Sequence, residues 1–173
     1  MVDRMNVRIE PWTDADLPLL YRLNAPEMLE HLGGPESEEQ ILARQKRYVE
    51  ISGKGTGRMF SIILLPEREA VGSIGYWERI WQEETIYEIG WGVLPPFQGR
   101  GIALAATAAA IASARAEQKH RYIYAFPSAS NPASNAICRK LGFSFIVESA
   151  FEYPPGSMMR CNVWRLDLTA SSI

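Results

Sequence analysis

The sequence predicts a mixed α/β (α+β) protein with one central mixed sheet of six to seven strands flanked by helices. Three observations lead to this prediction. Strand-like and helix-like hydrophobic patterns follow each other in the order β-α-α-β-β-β-α-β-α-β-β. Two of the strands are joined through a helix without a hairpin turn, which makes them parallel, whereas other neighbours are joined by short turns. A glycine turn, residues 98–103, stands between a strand and an alanine-rich helix.

The composition limits the class of protein. With 47% hydrophobic and 22% charged residues, the 173-residue chain is expected to fold as a single globular domain over 1–173. A formal net charge of −2 without a dense Lys/Arg block argues against a nucleic-acid partner. The chain has no signal-peptide pattern and no run of about 18 apolar residues, so we expect no membrane partner and a cytoplasmic location. Two cysteines and two histidines without ligand spacing predict no metal site.

The first half of the chain predicts one strand, helices and a hairpin. Residues 7–12 alternate apolar and polar side chains, as a half-buried strand does. Residues 25–36 contain two prolines and a Gly-Gly pair, which favours a loop or a broken helix. Residues 59–65 and 70–80 flank a turn and predict an antiparallel hairpin. Two capping boxes mark helix starts, and they are Thr13 with Asp16 and Ser37 with Gln40.

The second half predicts the parallel pair and a final hairpin. The strand 84–94 contains two glycines, which predict a bulge. A helix over 102–118 and a strand over 121–126 follow it. Asn131 as N-cap, Pro132 at the first helical position and Gly142 beyond the end delimit a second helix. Residues 143–153 and 160–168 predict the last two strands.

The glycine turn is suited to hold a phosphate, because glycines admit a close ligand and a helix N-terminus offers unpaired N–H groups. A Walker A loop is absent, and the third glycine of a Rossmann turn is replaced by Leu104. The pattern Q/R-x-x-G-x-G/A fits, with Gln98, Gly101 and Ala103 at its defined positions. The alternative is a tight turn without a ligand.

This loop and the helix "NPASNAICRKLGF" resemble the two cofactor-binding motifs of the GNAT acetyltransferase superfamily, and the order of elements agrees over nearly the whole chain. The RimJ/RimL-like branch is the most similar by pattern. The resemblance implies the GNAT acyl-CoA N-acyltransferase fold with a splayed parallel strand pair. It also implies acetyl transfer from acetyl-CoA to a primary amine, either a small molecule or a protein N-terminus, by direct attack in a ternary complex.

The resemblance also implies which residues bind acetyl-CoA. The diphosphate would lie on backbone N–H groups of the loop, helped by the charge of Arg100. Val93 and Leu94 would expose backbone groups to the pantetheine arm if the two glycines splay the strand, and an N–H near Val93 would hold the oxyanion. Asn131 would bind the pantetheine amide. The predicted cofactor-binding residues are Val93, Leu94, Gln98, Gly99, Arg100, Gly101, Ile102, Ala103, Asn131, Ser134, Asn135 and Arg139.

Two residues are the predicted catalytic groups. Glu88 is the candidate general base because it faces away from the bulky side of its strand, although a salt-bridged glutamate is equally compatible. Glu84 is a second choice. Many GNAT members carry a tyrosine as thiolate acid where this chain has Cys138, so Ser134 becomes the candidate proton donor; a helix-capping serine is the alternative. Cys138 is not expected as a nucleophile, because neither histidine has a reason to lie beside it.

The acceptor site is predicted from single residues. His31, in a loop, and the aromatic residues Trp77, Trp81, Phe151 and Tyr153 are candidates for its wall, although a surface histidine and core aromatics are the alternatives. Tyr153 is also a possible proton donor. The expected partners are acetyl-CoA and an amine, and the chain is a monomer or homodimer. Two other functions stay open at this point, a non-catalytic CoA-binding regulatory protein on the same fold and a dinucleotide-binding protein.

Overall fold

A computed structural model describes residues 6–29, 34–152 and 156–170. The strands in this part of the chain are β1 Val7–Pro11, β2 Gly57–Leu64, β3 Glu69–Trp81, β4 Glu84–Val93, β5 Tyr122–Ala125, β6 Ser144–Glu152 and β7 Met158–Asp167. The helices are α1 Leu17–Leu23, α2 Pro26–Leu29, α3 Glu38–Lys54, α4 Ile102–Glu117 and α5 Pro132–Lys140. The strands form one sheet in the order β1-β2-β3-β4-β5-β7-β6. β4 and β5 are parallel and the other neighbours are antiparallel, so the predicted mixed sheet is confirmed.

The helix starts follow the predicted capping residues. Ser37 and Gln40 form a reciprocal capping box at the start of α3. Thr13 and Asp16 form the second box, but it caps a 3-10 turn that leads into α1. The segment 25–36 contains the one-turn helix α2, as a broken helix would. Asn131 caps α5, with Pro132 in its first turn.

The helices cover both faces of the sheet, because side chains on a strand alternate between its faces. On one face of the sheet, Phe60 and Ile62 of β2 belong to the main core together with residues of α4 and α5. Met59 points the other way and packs against α1 and α3. Small buried side chains such as Ala106 and Ala110 bring α4 close to the sheet. Among the described residues, no helix has both the length and the apolar character that a membrane crossing needs.

The parallel strands β4 and β5 separate after a short contact. They pair only at Tyr87 with Ile123 and at Glu88 with Tyr124. The chain beyond β5 turns toward β7, where Ser128 forms a bridge with Cys161 and the Asn162 N–H donates to the Pro127 carbonyl at 2.9 Å. β4 meanwhile stays paired with β3 as far as Val93. The predicted splayed pair is therefore present, and it leaves one edge of β4 without a neighbouring strand.

The predicted bulge in β4 is wrong. β4 pairs with β3 in an unbroken register from Glu84, opposite Trp81, to Val93, opposite Gly72. The strands separate on the opposite edge of β4, because β5 is directed toward β7. The two glycines of β4 therefore have another role, which the cleft described below explains.

A polar clamp holds the far end of α4 against the sheet. The Tyr87 hydroxyl donates to Glu117 at 2.9 Å, and Arg58 donates to the other oxygen of the same carboxylate. Burial alone would raise the pKa of Glu117, but the hydrogen bonds from Arg58 and Tyr87 outweigh it and hold that pKa below its ordinary value. The clamp ties β2, β4 and α4 together at the end opposite the strand separation.

We predict that this clamp makes part of the stability dependent on pH. A carboxyl group whose folded pKa is lowered stabilises the protein above its unfolded pKa of about 4.3, and this contribution is lost as the pH falls through the folded pKa. Urea denaturation should show wild type more stable than Glu117→Gln near neutral pH, with the difference shrinking below about pH 4. Glu67→Gln, at an exposed glutamate, controls for the change in net charge. A difference that stays constant down to about pH 3 would contradict the prediction.

Candidate active site

A cleft of about 720 Å³ opens where β4 and β5 separate. One wall is formed by the face of β3 and β4 together with α1 and α3, and the other by the end of β5, the start of α5 and the end of β6. Charged side chains line it beside aromatic and backbone groups. Among the predicted site residues, those that line the cleft are Trp77, Glu88, Asn131, Ser134 and Phe151.

The glycine loop presents a row of unused N–H groups. Gly99 and Gly101 have φ values of +75° and +81°, in the left-handed region that glycine adopts without strain. α4 begins at Ile102 without a side-chain cap, and its first backbone hydrogen bond within the helix runs from Ala105 to the Gly101 carbonyl. No described residue accepts a hydrogen bond from the N–H groups of residues 99–103. This exposed turn has the geometry and the helix-dipole end that bind an anion.

At the end of β4, the backbone of Val93 and Leu94 is only partly free for a ligand, whereas the sequence predicts that both residues expose backbone groups. Leu94 donates its N–H to the Val71 carbonyl at 2.8 Å, so that N–H is not available to a ligand, and its carbonyl already accepts from the Phe97 N–H at 2.9 Å. Because N–H groups alternate sides along a strand, the Val93 N–H points away from β3, toward the open edge. The Gln98 side chain also lies there and donates to the Val93 carbonyl at 2.8 Å.

Other predicted cofactor residues surround this loop. The Gln98 N–H donates to the Pro95 carbonyl, so the row of unused N–H groups starts at Gly99. Ile102 is almost completely buried as a residue and packs in the main core. The Arg100 guanidinium lies 5.7 Å from the Phe97 ring centre, at the exposed loop. The exposed Arg139 lies on α5, with its guanidinium 5.9 Å from the Trp164 ring.

Asn135 has a structural role, contrary to the prediction that it reaches the cofactor. Its side chain is buried, and its amide nitrogen donates to the carbonyls of Ser128 at 3.0 Å and Asn131 at 2.7 Å. Its amide oxygen accepts from Asn162 at 2.9 Å and from the Trp164 indole at 2.8 Å. These four bonds use the full capacity of the amide. Asn135 therefore fixes the 128–131 loop to α5 and β7.

Asn131 and Ser134 lie together at the start of α5. The Asn131 side-chain oxygen accepts from the Ser134 N–H at 3.1 Å, which caps the helix. The Asn131 amide nitrogen and the Ser134 hydroxyl have no hydrogen-bond partner among the described residues, and both side chains line the cleft. Both groups can therefore contact a ligand lying in the cleft.

Glu88 lies at the centre of the cleft in an ion pair. Its Oε1 accepts from Arg79 Nη1 at 2.9 Å, and its side chain is 22% exposed. The salt-bridged alternative considered from the sequence is thus present, in a glutamate that also faces the cleft. Glu84, the second choice for the base, is exposed at the start of β4 and does not line the cleft.

The two glycines of β4, Gly90 and Gly92, line the cleft. A Cβ atom on Gly90 would lie 2.9 Å from the tip of the Trp77 indole, which covers it. On Gly92 the nearest atom would be the flexible Met28 methyl group, at 3.4 Å. Trp77 therefore lines the cleft as predicted, as does Phe151, whereas Trp81 does not. The predicted acceptor residues His31 and Tyr153 lie outside the described residues.

The cysteines are unsuited to nucleophilic chemistry. Cys138 is fully buried, and burial raises the pKa of its thiol to about 12. Burial also raises the pKa of the Cys161 thiol. The thiolate is the reactive form, so both thiols stay protonated and inert near neutral pH. Among the described residues, no three His, Cys, Asp or Glu side chains come together as metal ligands do.

A family model described as an acetyltransferase (GNAT) domain matches residues 6–144. The chain belongs to the GNAT acetyltransferase family. This family assigns it to the N-acetyltransferases, and the predicted family resemblance is confirmed. No curated protein is significantly similar to this GNAT chain in sequence.

Solved acetyltransferases share the fold. RimL, a ribosomal L7/L12 α-N-protein acetyltransferase in complex with coenzyme A, is 18% identical with a TM-score of 0.77, covering 94% of each chain. Spermidine N-acetyltransferase from Vibrio cholerae, with CoA and spermine, is 15% identical with a TM-score of 0.78, covering 95% of this chain and 97% of that one. Ribosomal-protein-S5-alanine acetyltransferase from Vibrio fischeri is 18% identical with a TM-score of 0.76, covering 96% and 94%. At these identities the likeness shows the fold.

Four charged residues that line this GNAT cleft in the described part of the chain were not identified from the sequence, and they are Glu36, Arg44, Glu152 and Arg79. The one paired with Glu88 is Arg79. Its only signal is that it lies two positions after Trp77 on the same strand, and therefore on the same face. That Glu88 lies beside both follows from the register of β3 with β4, in which Trp77 is opposite Glu88. The hydrophobic pattern does not determine this register to the residue.

We predict that Asn135→Leu destabilises this acetyltransferase by about 2–4 kcal/mol, because it leaves buried donors and acceptors unpaired. Urea denaturation measures this loss. Asn162→Leu, which removes only one of the four bonds, should have a smaller effect. The affinity of the remaining folded protein for coenzyme A should change less than threefold. A stable Asn135→Leu protein with strongly weakened binding would instead show a direct role at the cofactor.

Proposed function

We propose that this GNAT protein transfers the acetyl group of acetyl-CoA to a primary amine by direct attack in a ternary complex. The single observation that carries the proposal is the row of unused N–H groups at residues 99–103 beside the free edge of β4. Coenzyme A in the RimL and Vibrio spermidine acetyltransferase structures supports the same cosubstrate here. The acceptor belongs to the broad class of small-molecule amines and protein N-termini.

The loop supplies the diphosphate site. The N–H groups of residues 99–103 have no acceptor among the described residues and lie at the positive end of the α4 dipole, and the exposed Arg100 adds a full charge beside them. The free edge of β4 offers backbone groups to the pantetheine arm, in the way that a strand receives an added strand. The Asn131 amide nitrogen and the Arg139 guanidinium extend these contacts along α5.

The chemistry requires three groups in the cleft. An ammonium ion has no lone pair, so the acceptor first gives a proton to Glu88, directly or through a water molecule. The amine nitrogen then attacks the thioester carbonyl, and a backbone N–H on the free edge of β4 donates to the oxygen as it becomes negative. The C–N bond forms, the C–S bond breaks, and the nitrogen releases its second proton to water. The departing thiolate takes a proton from water or from the Ser134 hydroxyl, which water then reprotonates.

Other expectations about this enzyme stay predictions. A cytoplasmic location, a monomeric or homodimeric state and one domain over the whole chain are compatible with the described part. His31 and Tyr153 remain candidate acceptor residues. Tyr153 is also an alternative proton donor.

We predict that a charge placed in the loop weakens cofactor binding selectively. A Cβ on Gly99 would meet no atom within 4 Å, and both Asn and Asp tolerate its positive φ better than most residues. Gly99→Asn and Gly99→Asp differ only in charge. Calorimetry should show coenzyme A bound at least tenfold more weakly by Gly99→Asp, with the difference reduced by salt because the repulsion is screened. Pantetheine, which lacks the diphosphate, should bind both variants equally.

Equal affinities of these two variants for coenzyme A would place the diphosphate elsewhere and contradict the proposal. Thermal denaturation of both variants provides the control for folding. Their melting temperatures should agree within a few degrees, because the loop is exposed.

We predict that Glu88→Gln lowers kcat about 100-fold, since it removes the general base but can still accept a hydrogen bond from Arg79. Coenzyme A affinity should be unchanged. Glu84→Gln, on the same strand but outside the cleft, should keep wild-type turnover. The measurement is the rate of thiol release by Glu88→Gln and Glu84→Gln with a saturating amine. Wild-type turnover by Glu88→Gln across about pH 6 to 9 would exclude Glu88 as the base.

A further inference from the structure

The acceptor side of the cleft carries paired charges. Glu36 accepts from Arg44 through both oxygens, at 2.6 and 2.8 Å, and the bond from Arg44 lowers the pKa of Glu36. Glu88 accepts from Arg79 at 2.9 Å. Glu152 at the rim is the lining carboxylate that has no ion-pair partner among the described residues. Among the described lining residues, two of the three carboxylates are thus neutralised by arginines, which weakens the attraction for a polyamine with several ammonium groups.

The two arginines differ in their remaining capacity. Arg44 uses all three of its side-chain nitrogens, since its Nη1 donates to the Tyr48 hydroxyl at 3.2 Å. Arg79 makes one hydrogen bond to the described residues, from its Nη1 to Glu88. A guanidinium carries five N–H donors. The Arg79 side chain is 32% exposed and lines the cleft. Arg44 uses three of its five N–H donors and Arg79 one of five, so Arg79 is the described cation of this cleft with more unused donors for another anionic group.

Aromatic rings hold the Arg79 guanidinium in position. Its central carbon lies 4.3 Å from the ring centre of Phe126, 5.2 Å from that of Phe151 and 5.7 Å from that of Trp81. Stacked rings restrict the guanidinium by its faces and leave its N–H groups pointing outward at its edges. A guanidinium held in this way suits two parallel hydrogen bonds to a carboxylate.

Arg79 and Glu88 together form a fixed pair of opposite charges. They come from neighbouring strands and lie on the same face, because Trp77 is opposite Glu88 and Arg79 is two residues further along β3. A molecule with an ammonium and a carboxylate group close together complements this pair. Its carboxylate binds Arg79 in place of Glu88, and its ammonium group binds the carboxylate of Glu88.

We infer that Arg79 is a specificity-determining residue and that the acceptor is an amine with an adjacent carboxylate. This inference rests on the proposed function and narrows its acceptor class. The required chemistry is present in a free α-amino acid and in a peptide with an acidic first residue. An amine without a carboxylate leaves the Arg79–Glu88 pair intact and has to compete with Arg79 for the base.

The test compares matched acceptors that differ only in charge. Thiol release from acetyl-CoA is measured with the twenty common L-amino acids, with their α-amides, with spermidine, and with short peptides that begin with aspartate or asparagine. Wild type should prefer a carboxylate-bearing acceptor over its uncharged amide at least tenfold in kcat/KM. The amino-acid and peptide arms identify the source of the carboxylate.

The Arg79 variants separate specificity from folding. Arg79→Met can still pack against the rings. It should use the acid and the amide almost equally, with an acid-to-amide ratio of kcat/KM of no more than about two. Arg79→Lys should keep part of the preference. Because this ratio is taken within one protein, a loss of folded enzyme cancels. Arg165→Met is the control, because the Arg165 guanidinium lies 4.5 Å from the Tyr122 ring centre and does not line the cleft. The acid-to-amide ratio of kcat/KM in this variant should equal that of wild type.

Three results would overturn the inference: equal use of acid and amide by wild type, turnover of spermidine but of no carboxylate-bearing acceptor, or an unchanged preference in Arg79→Met. None of these affects acetyl transfer itself, provided that some amine releases thiol. Failure of wild type to bind coenzyme A or to release thiol with any amine would instead overturn the proposed function together with the inference.

Discussion

The separation of β4 from β5 is the constraint on which the rest of the site depends. The two strands share only two residue pairs before the chain after β5 is drawn to β7 by the Ser128–Cys161 bridge. β4 cannot follow, because β3 holds it in register as far as Val93. A strand edge with unused polar groups is otherwise a liability in a folded protein. Here it faces a cleft, next to a helix end that also has unused N–H groups.

The supporting structure lies behind this opening. The Asn135 side-chain amide makes four hydrogen bonds, which hold the 128–131 loop to α5 and β7. That loop contains Asn131 and is followed by Ser134. At the opposite end of the sheet, Glu117 joins β2, β4 and α4. A cleft whose walls are fixed from both ends can present groups to a ligand without first reorganising, which is the basis of electrostatic catalysis.

The two walls of the cleft have different chemistry. The loop and α5 side offers N–H groups, an amide and a hydroxyl, which suit a long polar cosubstrate. The opposite side offers the Arg79–Glu88 pair beside Trp77, with Gly90 as the floor. Glycine is needed at that position because the indole lies over it, and not because the strand bulges. The same sheet thus holds these two sets of polar groups on different sides.

The sequence by itself determined the elements, the helix caps, the mixed sheet and the glycine turn at the start of α4, because each is a local matter of hydrophobic period, capping hydrogen bonds or glycine φ angles. It also named Glu88, Ser134 and Trp77, which do line the cleft. Only the tertiary structure decided which polar groups remain available. Leu94 and Asn135 are used internally, whereas Arg79 keeps free donors. These outcomes depend on strand register and on partners distant in sequence, neither of which a local pattern contains.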